Sequence, residues 1–156
     1  MTRTSIVSPS TVGRRASLAI AGGWLGLLGA ASALAERPAS AIEGSWLTDD
    51  HKGVVRISAC GDKLCGRIAQ VLDRAPGVPR ADVNNPDARL RARPLVGLLT
   101  LWGFHRAGAA WQGGRAYDPK SGRSYRSTLA LEANGSLKVT GCVLFICQAR
   151  HWTRVR

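Results

Sequence analysis

The sequence predicts an all-β domain, an eight-stranded antiparallel up-and-down barrel with one short helix in an insertion at 73–94. Three observations carry this. Trp111 to Arg126 reads as two strands around a tight turn, short alternating segments recur along the rest of the chain, and four cysteines sit at spacings that suit paired strands. A meander of eight strands closes most simply on itself, because closure removes both exposed edges.

The first 35 residues have the three parts of a secretory signal. Arg3, Arg14 and Arg15 precede any acidic residue, Leu18 to Ala31 is an apolar run, and Ala33-Leu34-Ala35 places small residues at a cleavage site. Ala39-Ser40-Ala41 offers a second site, after residue 41. An uncleaved anchor and a twin-arginine signal at Arg14-Arg15 are weaker readings, since the run is short and no Phe follows. Residues 36–43 are then a linker and 44–156 a single barrel domain, exported to the periplasm first and the cell exterior second. A mature chain of 121 residues holds one core and not two.

Strands are expected at about 44–48, 53–59, 64–72, 95–104, 110–117, 124–132, 136–142 and 148–155. Gly44 to Thr48 opens the fold before a polar turn. In the second strand Val55 and Ile57 share one side, Arg56 and Ser58 the other. Setting Cys60 opposite Cys65 would face Ile57 with Ile68 and Val55 with Gln70. Residues 73–94 are polar, contain proline and are too long for a plain loop. Within them Asn85-Pro86-Asp87 suits a helix start with Asn85 as N-cap, and Arg91 and Arg93 end the helix before Pro94. Leu95 to Phe104 is read as a strand because Gly97 and Gly103 disfavour a helix, with a turn following at His105 to Ala109.

In the central hairpin Asp118 starts the turn, Pro119 sets φ, and Gly122 takes the positive φ that returns the chain. That register sets Asp118 opposite Arg123, Ala116 opposite Tyr125 and Gly114 opposite Ser127, so Tyr125, Ser127, Leu129 and Leu131 point inward. At Asn134-Gly135 a two-residue turn would face Leu131 with Lys138. A three-residue loop faces it with Leu137, and Leu129 with Val139, keeping apolar residues together. Cys142 opposite Cys147 then places Gln148, Arg150, Trp152 and Arg154 inward. The small residues at 114, 127 and 141 would leave space near one end.

Four cysteines in an exported chain read as two disulfides, and spacing favours Cys60–Cys65 and Cys142–Cys147 among the three connectivities. Opposed hairpin residues have Cα separations of about 4.5 to 5.5 Å, within disulfide range. The spacing is longer than zinc or redox pairs use. His51, His105 and His151 are isolated, the carboxylates sit mainly in turns, and no phosphate loop, nucleophile elbow or His-Glu-x-x-His motif occurs. No cofactor, metal or catalytic residue is expected; a hydrolase site assembled across strands is the weakest reading.

The mature chain carries 19 basic against 10 acidic side chains, a net charge of +9. In an exported protein this points to anionic envelope surface or an acidic partner, not to nucleic acid, with plain solubility as the alternative. Arg89, Arg91 and Arg93 form the densest basic cluster, either an anion site or solvated arginines of which one pairs with Asp82 or Asp87. Val143-Leu144-Phe145-Ile146 puts four apolar residues at a hairpin tip where polar ones are usual. The tip is either a lid folded over a barrel end or a contact surface for membrane or partner.

Several spaced motifs occur in one order: Gly44-x-Trp46, Cys60-x4-Cys65-Gly66-Arg67-Ile68, Asp82-x-x-Asn85-Pro86, Leu90-Arg91-x-Arg93-Pro94-Leu95-x-Gly97, Gly114-x-x-Tyr117-Asp118-Pro119-x-Ser121-Gly122-x-x-Tyr125, Leu137-x-Val139-x-Gly141-Cys142 and Trp152-Thr153-Arg154. Together they resemble the bacterial domain-of-unknown-function family 2147. The resemblance implies a small exported protein with a lipocalin-like barrel and no established activity. Trp46 with Arg154 also resembles the lipocalin-type closure, an arginine lying over a tryptophan near one barrel end. The chain departs from that family at Val96 and Arg150, where members often carry cysteine and glutamine.

Two functions fit these features. The first is a binding protein for a small amphiphile or anionic envelope component, with Tyr125, Ser127, Leu129, Val139 and Trp152 as the wall and Gln148 and Arg150 meeting a polar head. The second is a packed barrel that contacts envelope surface, peripherally at a membrane or on a protein, through Arg89, Arg91, Arg93, Leu144 and Phe145. The sequence leaves the oligomeric state open.

Overall fold

Eight strands hydrogen-bond in chain order and the first pairs with the last, so the sheet closes without a free edge. The structure, a computed structural model, describes residues 40–156. The signal segment and its cleavage after residue 35 lie outside them. The strands are β1 (Gly44–Leu47), β2 (Gly53–Cys60), β3 (Lys63–Val71), β4 (Leu99–Ala107), β5 (Ala110–Asp118), β6 (Arg123–Leu131), β7 (Leu137–Val143) and β8 (Ile146–Val155). β1 meets β8 with Trp46 opposite Arg154.

Turn chemistry sets the register of the second half of the barrel as expected. Asp118 faces Arg123, Ala116 faces Tyr125 and Gly114 faces Ser127. The Asp118 carbonyl and carboxylate accept from the Gly122 and Lys120 N–H groups at 2.8 and 2.9 Å. Leu131 faces Leu137 and Leu129 faces Val139; Cys142 faces Cys147 and Leu137 faces Trp152.

The first half departs from expectation wherever a bulge intervenes. Cys60 faces Lys63, and Cys65 faces Ser58, because the turn takes two residues rather than four. Ile57 therefore opposes Gly66 and Val55 opposes Ile68, and a shift at Val54/Val55 then sets Val54 opposite Gln70. The two sulfurs still bond, diagonally, with a Cα separation of 5.7 Å. β4 begins at Leu99 rather than 95. Leu95 to Leu98 forms a turn instead, with the Leu98 N–H donating to the Leu95 carbonyl at 3.0 Å. His105 lies within β4, and the turn after it shrinks to Gly108-Ala109. Gly103, at φ 78°, breaks the alternation so that Leu101 and Phe104 both point inward and are buried.

The helix is shorter than predicted, a single 3₁₀ turn at Ala88–Leu90 capped by Asp87. Asn85 is not the cap, because its side chain is drawn to Asp82 and Tyr117. The fold also starts earlier than Gly44, since Ile42, expected in the linker, is 3 % exposed and belongs to the core.

Chain direction defines two ends. At one, β1 begins, β8 finishes, and the β2–β3, β4–β5 and β6–β7 turns gather; Trp46, Phe104, Leu64, Leu129 and Leu137 are fully buried there or just inside it. At the other lie the β1–β2, β5–β6 and β7–β8 turns and the 72–98 insertion. These are the packed end and the loop end.

Candidate functional site

The predicted interior residues share the inward face of β6, β7 and β8 but not one environment. Ser127, Leu129, Val139 and Trp152 are buried, and Tyr125 is half-buried. Gln148 and Arg150 hold the expected register, opposite Gly141 and Val139, yet are exposed. They sit where β8 emerges from the loop end, so inward direction does not enclose them. The Arg150 side chain is 61 % exposed and donates to Asp49 Oδ2 at 3.1 Å. Leu131, also inward by register, is exposed at the packed end, where its strand stops.

The space expected over Gly114 is filled. A Cβ there would fall inside contact distance of the Phe104 ring, and one at Gly66 would meet Leu101 Cδ1 at 2.7 Å. Both glycines make room for large β4 side chains. Over Gly141 the nearest atoms to a Cβ would be Tyr125 Cβ at 3.5 Å and Ser127 Oγ at 3.8 Å, ordinary contact.

Ion pairs stitch that rim. Asp49 binds Arg150, and Asp50 binds Lys120 of the β5–β6 turn. Partial burial would raise the Asp50 pKa, but hydrogen bonds from Lys120, Thr48 and the Lys52 N–H outweigh it and bring it down to about 2.

A polar cluster, of which the sequence disclosed only an arginine pairing with Asp82 or Asp87, fastens the insertion. Asp82 is fully buried. Its Oδ2 accepts from Asn85 Nδ2 at 2.8 Å and Arg93 Nε at 2.9 Å, with Arg93 Nη2 at 2.7 Å, and its Oδ1 accepts from Tyr117 OH at 2.7 Å. Burial and the bond to the Asp82 carboxylate push the Tyr117 phenol above its usual value. The motifs Asp82-x-x-Asn85-Pro86 and Tyr117-Asp118-Pro119 were visible separately; only the fold brings them together across 35 residues.

Of the two readings of the three arginines, the contacts match the one in which they pair with Asp82 and Asp87. Arg93 neutralises Asp82, Arg89 pairs with Asp87 at 2.9 Å, and Arg91 Nε donates to the Asn85 carbonyl at 2.8 Å. Each is drawn to a different acceptor. Beside them a shallow cleft of ≈ 370 Å³ runs between the insertion and the outer face of the wall, lined by Trp102, Leu99, Pro86 and Ser124 among others.

The packed end is closed as the Trp46–Arg154 pair suggested. Trp46 is fully buried and donates from Nε1 to the Ile42 carbonyl at 2.8 Å. The Arg154 guanidinium lies 4.2 Å from the Trp46 ring centroid and donates to the carbonyls of Glu43, at 3.0 Å, and Ala41. Gly44 explains its own identity here: φ is +133°, and a Cβ would come within 2.6 Å of Arg154 Nη1.

The β7–β8 tip is not a lid. Leu144 and Phe145 are 90 % and 89 % exposed, and Val143 and Ile146 are exposed beside them. Below the tip Cys142 and Cys147 are bonded, with Cα atoms 4.1 Å apart. Two disulfides in one small domain suit an oxidising environment. Among the described residues no group of three His, Cys, Asp or Glu side chains is placed to hold a metal ion.

A closed eight-stranded meander with one end sealed by arginine over tryptophan defines the class, a lipocalin-like barrel. A protein of the human pathogen Helicobacter pylori, described as belonging to the lipocalin family, has a similar fold, with a TM-score of 0.65, 21 % sequence identity, and coverage of 73 % of this chain and 82 % of that one. The family of uncharacterized proteins conserved in bacteria, DUF2147, matches residues 44–154, and the chain belongs to it. No curated protein matches the sequence.

Proposed function

We propose that the protein is a non-enzymatic, periplasmic binding protein for a small amphiphile with an anionic or polar head, taken up at the loop end. The reading rests on one observation: along the inward face of β8, exposure passes from buried Trp152 to exposed Arg150 and Gln148 within four residues. An apolar wall thus runs out into a polar rim, the order an amphiphile needs. The tail enters past half-buried Tyr125 toward Ser127 and Val139. The head displaces the Asp49 carboxylate from Arg150 and takes a further hydrogen bond from Gln148. The lipocalin-like fold supports the reading by analogy alone.

Native mass spectrometry of protein recovered from a bacterial envelope fraction tests it. A ligand-bound mass is expected, and Arg150→Ala weakens retention by about tenfold or more, the loss of one charge-assisted hydrogen bond. A bare mass for the unmodified protein, under conditions that preserve fatty-acid adducts on a control lipocalin, overturns it. A second reading, action through the outer surface, is favoured by the exposed 143–146 tip.

A further inference from the structure

Leu144 and Phe145 are the two most exposed large apolar side chains among the described residues, and they form the turn itself, between Val143 and its register partner Ile146. Leu144 has φ 53°, a turn conformation that glycine or asparagine adopts at less cost. Neither the turn nor the barrel gains from leucine and phenylalanine here. The Cys142–Cys147 bond directly beneath holds the tip extended, so that little freedom remains to be lost when it is covered.

The charges at the base of the tip are cationic and unanswered. Arg126 is the register partner of Cys142, and Arg115 is the register partner of Arg126, both exposed on the outer face. Like charges opposed across a strand pair destabilise it, and an anion between them removes that penalty. Most carboxylates around the loop end are already engaged: Asp49 with Arg150, Asp50 with Lys120, Asp73 with Lys52, Asp82 with Arg93 and Asp87 with Arg89, while Asp118 accepts from the Lys120 N–H and the Ser121 hydroxyl. Arg115 and Arg126 form no ion pair with an acidic side chain among the described residues.

We propose that the loop end docks on an anionic lipid bilayer, with Leu144 and Phe145 entering the acyl boundary and Arg115 and Arg126 meeting the phosphates above them. The spacing fits. Arg126 stands level with Cys142, about two residues from the tip, and at about 3.3 Å per residue this is roughly 7 Å, the depth to which interfacial apolar groups sink. A convex apolar point with a cationic collar matches a bilayer layer by layer. Docking would also present the proposed ligand entrance to the membrane, but it stands on the tip and its collar and does not depend on the ligand.

Co-sedimentation with phosphatidylcholine vesicles, with and without phosphatidylglycerol, tests this on protein purified as the host exports it. Binding to the anionic vesicles is expected, falling with salt. Leu144→Ser with Phe145→Ser should reduce it more than tenfold at an unchanged melting temperature, and Arg115→Glu with Arg126→Glu should remove the preference for phosphatidylglycerol. Phe145→Trp should give a blue-shifted emission on anionic vesicles. No sedimentation, a double tip variant that binds like the parent, or an unshifted Phe145→Trp emission overturns the proposal. So does self-association of the chain that the tip variant abolishes, which would assign the tip to a second copy. Arg150→Ala separates the two readings: it should lose the ligand and still sediment with vesicles.

Discussion

The two ends of the barrel are made by the same strands with the same inward alternation, yet they are finished by different physics. At the packed end, Trp46, Ile42 and Phe104 exclude water and Arg154 lies across the closure. At the loop end the inward positions carry Gln148 and Arg150, and the turns are joined by Asp49–Arg150, Asp50–Lys120 and the Asp82 cluster. Register decides which way a side chain points; what lies beyond the strand end decides whether it is enclosed. One end is thus held by apolar burial, the other by ion pairs and a buried polar cluster.

The sharpest test is to remove one apolar anchor and one rim charge. Trp46→Ala should cost about 3–5 kcal/mol in denaturant unfolding, since it empties a fully buried site and strands the Ile42 carbonyl. Arg150→Ala should stay within about 0.5 kcal/mol. Comparable losses would erase the distinction between the ends. Next in size is Asp82→Ala, which leaves the Arg93 guanidinium, the Asn85 amide and the Tyr117 hydroxyl without their acceptor. A loss of about 2–4 kcal/mol is expected, with faster amide exchange across 80–98 and little change at the packed end.

Replacing Cys142 and Cys147 together by serine should cost roughly 2 kcal/mol, the chain-entropy value for so short a loop, without unfolding the barrel. The smallest effect is that of pH on the rim. The folded Asp50 pKa, about 2, lies below its ordinary 3.8, so the unfolded chain binds more protons between these values. Its contribution is fully present above about pH 4 and is lost as pH falls through about 2. Asp50→Asn should therefore flatten the acid limb of the stability curve in that window, as followed by circular dichroism.

Much of the fold was legible where local chemistry leaves one choice. Asp118-Pro119 with Gly122, the Asn134-Gly135 loop and the Cys142–Cys147 pair set three successive registers, and all three hold. The β2–β3 register was misjudged because a disulfide tolerates diagonal as well as opposed positions. β4 was placed too early because Leu95 to Leu98 is apolar without being strand, and Leu98 is buried from within a turn. The candidate wall was found through parity alone, which is blind to how far a strand projects beyond its neighbours. Hence Gln148 and Arg150 were predicted to face inward, as they do, but not to be exposed.

The sequence by itself determined the strand count, the order of pairing, both disulfides and the Trp46–Arg154 closure. The first three follow from side-chain period, turn residues or short spacing, which act between near neighbours; the closure was legible only through the resemblance to the lipocalin-type pair of arginine over tryptophan. Only the tertiary structure decided that Phe104 fills the room over Gly114, that Asp82 gathers Arg93 and Tyr117, and that Leu144 and Phe145 stand free in solvent. These depend on bulges and on contacts between distant segments, where one inserted residue reverses a face and no local pattern reports which neighbour will arrive.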